Sequence, residues 1–192
     1  SGLDDQLIEI IDSTIVTCIE KVLSAENDWS EIESLFISNH MRLVVSNVTE
    51  AGLVYNATLH NNIPVGYPAK LAHLLHARYS HFKGNAEKGL IIIPTELLVD
   101  NGKLLFNLVV KHAEELGYSP DFRSWLEKSC QFCDSLVDRI VPGRWTENHK
   151  LFLPYIDNLA VATEPYYLWA IQGNKIVQQF FSKYHALRGF TV

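Results

Sequence analysis

The chain has 192 residues, 47% hydrophobic and 20% charged, with a net charge of −6, a composition suited to one globular domain with a real core. The acidic balance argues against a general nucleic-acid surface, because phosphate binding needs clustered Lys and Arg, although an anionic small molecule still fits a locally positive pocket. No run approaches the roughly 18 apolar residues of a membrane span, and Cys18, Cys130 and Cys133 cannot all pair, so a cytoplasmic protein without nucleic-acid or membrane partners is expected.

Gln6 to Leu23 is dominated by apolar and β-branched residues and reads as two short strands or a hairpin; a helix is the runner-up, because Ile8, Ile11, Ile15 and Cys18 recur at helical spacing. A helix follows from Glu26, capped by Asn27 or Asp28, with Ile32, Leu35 and Phe36 on its apolar stripe. Met41 to Val45 is a short strand, and Ser46-Asn47-Val48-Thr49-Glu50-Ala51-Gly52 a polar loop at its carboxyl end. Tyr55 to Gly66 reads as a loop, and Pro68 opens a helix through Leu71, Leu74, Leu75 and Tyr79 that Gly84 ends.

Gly89 to Gly102 is the centre of the chain. Four successive apolar residues, Leu90 to Ile93, are bounded by Gly89 and Pro94, the pattern of a strand buried on both faces of a parallel sheet. Asp100-Asn101-Gly102 is an Asx-type turn suited to capping a helix from Lys103 to about Leu116, closed by Gly117. Ser119-Pro120-Asp121 starts another helix to about Phe132, then Leu136 to Pro142 is apolar apart from Asp138-Arg139. Trp145 to His149 is a polar connection, Tyr166 to Ile171 a strand, Lys175 to Ala186 an amphipathic helix, and Gly189 to Val192 the beginning of a strand. Strands alternating with helices predict an α/β fold, a mainly parallel sheet with flanking helices.

Ligands of open α/β sheets sit outside the carboxyl ends of strands, which places Glu50, Glu96 and Asn101 where chemistry occurs. Two strand ends, each followed by a Glu, can converge on one crevice, where desolvation would raise a carboxylate toward general acid–base use. Glu164 adds a third acid. Asp138-Arg139 inside an apolar run is either an internal ion pair or part of the site. Cys130-x-x-Cys133, at the end of the predicted helix, reads as structural thiols, and His73, His76 and His81 as a solvated helix face; no metal site is expected.

Together these stretches resemble the polyol-specific long-chain dehydrogenases, the mannitol dehydrogenase family. Leu136-Val137-Asp138-Arg139-Ile140-Val141-Pro142 is similar to the signature around that family's Val-Asp-Arg, with Cys130 a small departure from its preferred aliphatic residue. Thr49-Glu50-Ala51-Gly52, Asn101-Gly102 and Glu164-Pro165-Tyr166 with Trp169 also look like family motifs. Ser46-Asn47, Tyr67-Pro68-Ala69-Lys70-Leu71, Glu96-Leu97 and Ile171-Gln172-Gly173 resemble the branch that interconverts D-altronate and D-tagaturonate; fructuronate-reducing or mannitol-oxidising branches are the alternatives within the family.

The resemblance implies NAD as cofactor, a sugar acid as substrate and a partial Rossmann-type domain. Residues 1–192 would be its later part, with the glycine-rich loop before Ser1 and the catalytic Lys of a Lys-x-x-x-x-Asn-x-x-His arrangement beyond Val192, so the chain alone is expected to be inactive. It also implies that Asn47, Thr49 and Glu50 lie beside the nicotinamide and that Glu96, Asn101, Asp138 and Arg139 line the substrate side. A non-catalytic α/β binding or scaffold module is the reading from another class.

Overall fold

The computed structural model describes residues 14–144 and 159–183. Leu90 to Ile93 decides the architecture. These residues include most of β4 (Ile91–Pro94), the middle strand of a parallel three-stranded sheet with β1 (Leu43–Ser46) on one side and β5 (Gln131–Phe132) on the other. Successive side chains point to opposite faces, so Leu90 and Ile92 join one apolar cluster while Ile91 and Ile93 join a second. All four are buried.

The larger cluster lies under four helices: α1 (Trp29–Phe36), α2 (Tyr67–His81), α3 (Asn101–Glu115) and α4 (Pro120–Ser129). Leu71, Leu75, Leu105, Val109, Phe122 and Leu126 are almost wholly enclosed there. The smaller cluster is closed by Val177 and Phe181 of α5 (Lys175–Ser182). Three antiparallel ribbons complete the described chain. They are β2 with β3 (Leu59–His60, Ile63–Pro64), β6 with β9 (Asp134–Asp138, Leu168–Gln172) and β7 with β8 (Gly143–Arg144, Val161–Ala162).

Arg78 is the most enclosed charged residue of this core. Its Nε donates to Lys88 O at 2.6 Å, Nη1 to Phe36 O at 2.5 Å and Ser38 O at 2.9 Å, and Nη2 to Met41 O at 3.3 Å. One guanidinium thereby joins the end of α1, the approach to β1, α2 and the approach to β4.

Several expectations are corrected. Residues 14–23 form no helix or strand, and Ile15, Val16, Ile19 and Val22 are exposed; β-branched composition makes a strand only where a neighbour supplies the ladder. Residues 6–13 of that predicted hairpin, residues 145–149 and residues 184–192 lie outside the described residues. Tyr55 to Gly66 contains the β2–β3 hairpin, whose turn residues Asn61 and Asn62 both have positive φ (50° and 64°), a conformation Asn accepts more readily than most residues.

Helix α4 stops at Ser129 rather than near Phe132: Cys130 is extended (φ −92°, ψ 148°) and leads into β5. Gly89 lies against this turn, where an added Cβ would sit 1.7 Å from Ser129 O. His73 and His76 are not a solvated face. His76 stacks on Tyr118 at 3.7 Å and His73 lies against Trp29, with Nε2 3.5 Å from Glu33 Oε1.

Candidate functional site

The carboxyl ends of β1 and β4 adjoin, Ser46 pairing with Pro94, and the chain turns polar beyond both. Glu96 forms the floor there. It is 3% exposed, its Oε1 accepts from Val48 N at 2.8 Å, and its Oε2 lies 3.4 Å from the Ser46 hydroxyl that donates to it. Thr95 binds the same strand end, its N and Oγ1 both donating to Ser46 O at 2.9 and 2.7 Å. The Tyr67 hydroxyl, at the start of α2, is buried here without a hydrogen-bond partner. Its pKa is pushed up to about 12, first by burial, with the neighbouring Ser46 hydroxyl opposing and the Glu96 charge adding to the rise.

Above this floor, Asn47, Thr49 and Glu50 are exposed. Thr49 has φ 64° and ψ 164°, a region in which a β-branched side chain is strained. The 3-10 turn Glu50–Gly52 follows, Gly52 N donating to Thr49 O at 3.1 Å.

Asn101 is 1% exposed and every polar atom of its side chain is engaged. Nδ2 donates to Glu96 O and Ser135 O at 2.8 Å each and lies 3.3 Å from Pro94 O, while Oδ1 accepts from Ser135 N at 2.9 Å. The residue fixes the loop after β4 to β6. The expected Asx cap of α3 is made differently. Asp100 is left-handed (φ 54°) with no capping bond, and Asp134 of β6 reaches across so that its Oδ1 accepts from Gly102 N at 2.8 Å and Lys103 N at 3.1 Å. Between the 96–101 loop and the β6–β9 ribbon lies a groove of about 530 Å³, lined among others by Glu96, Asn101, Ser135, Leu136 and Ile171.

Asp138 and Arg139 stand at the far end of that ribbon and are exposed. Arg139 Nε donates to the backbone O of Glu164 at 3.2 Å, and its guanidinium lies 5.7 Å from the centre of the Tyr167 ring. The Glu164 carboxylate is taken by Ile140 N at 2.6 Å. The structure thus joins Glu96, Asn101 and the 47–50 loop in one hydrogen-bonded unit. Among the described residues no hydrogen bond or ion pair connects Glu50, Glu96 and Asp138 to one another.

The sequence reading places Ser46 and Tyr67 in motifs but assigns them no role in the site, and it assigns none to Asp134 and Ser135 either. Their signal was faint: a polar residue closing one strand, a tyrosine before a helix-opening proline, and a polar pair opening another strand. Cys130 and Cys133 are buried, their thiols pushed up to about 12 and about 11 mainly by burial, and no group of three potential metal ligands occurs among the described residues.

A family model described as the mannitol dehydrogenase Rossmann domain matches residues 5–182. The altronate oxidoreductase of Enterobacter sp. (strain 638) is 38% identical over 179 residues, and that of Shigella flexneri 40% identical; each alignment takes in 91% of this chain. The chain spans 37% of the length of these relatives. Among solved structures, a substrate-free D-sorbitol dehydrogenase superposes with a TM-score of 0.59 at 19% identity, over 77% of this chain and 33% of that one. A Pseudomonas fluorescens mannitol 2-dehydrogenase ternary complex with NAD and D-mannitol gives 0.59 at 21% identity, over 78% and 33%. Fold and sequence agree: the parallel α/β sheet is of the Rossmann type, and the chain belongs to the mannitol dehydrogenase Rossmann domain family.

Proposed function

We propose that residues 1–192 are the later part of the Rossmann-type domain of an NAD-dependent oxidoreductase that interconverts D-altronate and D-tagaturonate. The observation that carries this reading is the 38–40% identity to altronate oxidoreductases over 91% of the chain. The site is consistent with the cofactor on its own terms. A polar, exposed loop stands at the adjoining carboxyl ends of β1 and β4, where a parallel α/β sheet binds nucleotides, and an unpartnered buried hydroxyl lies beneath it.

NAD, when bound, supplies the hydride acceptor for alcohol oxidation. Asn47, Thr49 and Glu50 would border the nicotinamide side with exposed amide, hydroxyl and carboxylate groups. Asp138 and Arg139 would serve the substrate side, where a planar guanidinium matches a sugar-acid carboxylate. Glu96 and Asn101 form the floor between them. The base for the hydroxyl proton would come from a part of the polypeptide outside these residues, so the 192-residue chain alone should show no turnover.

The test is NADH consumption by the full-length protein with tagaturonate and with fructuronate. Tagaturonate should be preferred in kcat/KM. Preference for fructuronate would move the protein to a sibling activity, and reduction of neither would end the proposal.

A further inference from the structure

Glu96 has the wrong surroundings for proton transfer to a substrate. A general base needs an open lone pair within hydrogen-bond reach of the proton it takes, whereas Glu96 is 3% exposed with one oxygen held by Val48 N and the other by Ser46 Oγ. What the carboxylate does hold is the 47–52 loop, through Val48 N. Thr49 is kept in its strained conformation between the Val48–Glu96 bond on one side and the Gly52 N to Thr49 O bond on the other.

We infer that Glu96 is a positioning residue that latches the 47–52 loop through the Val48 N–H, and that Tyr67 and Ser46 keep its carboxylate aimed at that bond. This rests on the reading that the loop borders the cofactor. Ser46 Oγ uses its proton on Glu96, and the buried Tyr67 hydroxyl is the neighbour whose electrostatics both Ser46 and Glu96 feel. With Oε2 accepting from Ser46, Oε1 is left to accept from Val48 N. If the latch opens, Thr49 relaxes and the polar edge offered to the cofactor disperses.

The experiment compares Glu96→Gln, Glu96→Ala and Tyr67→Phe in the full-length protein. Three quantities are read: hydrogen exchange at the Val48 amide without cofactor, the NADH dissociation constant by fluorescence titration, and kcat at saturating NADH. Gln keeps a carbonyl oxygen for Val48, whereas Ala does not. Glu96→Ala should speed Val48 exchange and weaken NADH binding, each by about tenfold. Glu96→Gln should recover most of both, and Tyr67→Phe should weaken NADH binding by about threefold, more than it lowers kcat.

A kcat at saturating NADH reduced about a hundredfold in Glu96→Gln, with Val48 exchange unchanged, would assign acid–base work to Glu96 and overturn the inference. So would a Tyr67→Phe protein identical to the parent in exchange and NADH affinity. If the parent protein binds no NADH, the proposed function fails while Val48 exchange still decides the latch. If Glu96→Ala does not fold, Glu96→Gln and Tyr67→Phe decide it.

Discussion

His112 shows how a single side chain ties stability to acidity. Its ring is 2% exposed, stacks on Tyr55 at 4.6 Å, and has no partner for Nε2; Lys111 lies over the other ring of that stack, and Glu115 holds the Tyr55 hydroxyl. Burial first, and the Lys111 charge second, lower its pKa below the ordinary 6.5. His76 is lowered in the same direction, by burial and then by His73. A histidine whose folded pKa lies below its unfolded value contributes stability that is complete above the unfolded pKa and is lost as pH falls. Urea unfolding free energy should therefore decline between about pH 7 and pH 5.5, and His112→Phe should flatten part of that slope. An unchanged slope in the variant would show that His112 is not responsible. Asn101 illustrates another kind of dependence: Asn101→Ala orphans carbonyls and the Ser135 N–H and should cost about 2–4 kcal/mol in urea unfolding. Asn101→Asp, nearly the same shape, should cost more, because it turns an oxygen toward the carbonyls that Nδ2 satisfies.

At the level of the element, α3 is held from outside itself. Asp134 caps it from β6, and Gly102 lets the two backbones touch, an added Cβ falling 2.5 Å from Cys133 C and O. Asp134→Ala should cost about 1 kcal/mol by thermal unfolding. Gly102→Ala should cost about 3 kcal/mol or more, because backbone cannot move aside as a side chain does. The same contrast explains what was legible in the sequence. Leu90 to Ile93 announced a doubly covered strand, and Pro68, Gly84 and Gly117 marked helix ends through local rules. Cys130 as the turn from α4 into β5 was hidden, because long-range contacts fix it: Gln131 N donates to Leu90 O at 2.8 Å and Gly89 lies close against Ser129 O. The Glu96–Val48 and Asn101–Ser135 bonds join residues 48 and 34 positions apart, and no local pattern announces such pairs.

For the molecule as a whole, apolar surface is distributed unevenly. Leu136 and Leu168 on one face of the β6–β9 ribbon are 53% and 40% exposed, and Val99 beside the groove is 90% exposed. Exposed apolar surface of this kind marks contact sites or association hazards. The 192-residue chain should bind a hydrophobic dye and sediment with a concentration-dependent mass, and Leu136→Lys should reduce both; dye binding unaffected by that change would place the sticky surface elsewhere. Arg78 carries a different consequence. Its four hydrogen bonds all end on peptide oxygens, which do not titrate in the range where carboxylates gain protons. Acidification therefore has no handle on this clasp. As the pH drops, the amides of residues 36–42 and 78–91 should be the last to exchange, so that the acid-denaturing molecule comes apart last around this guanidinium.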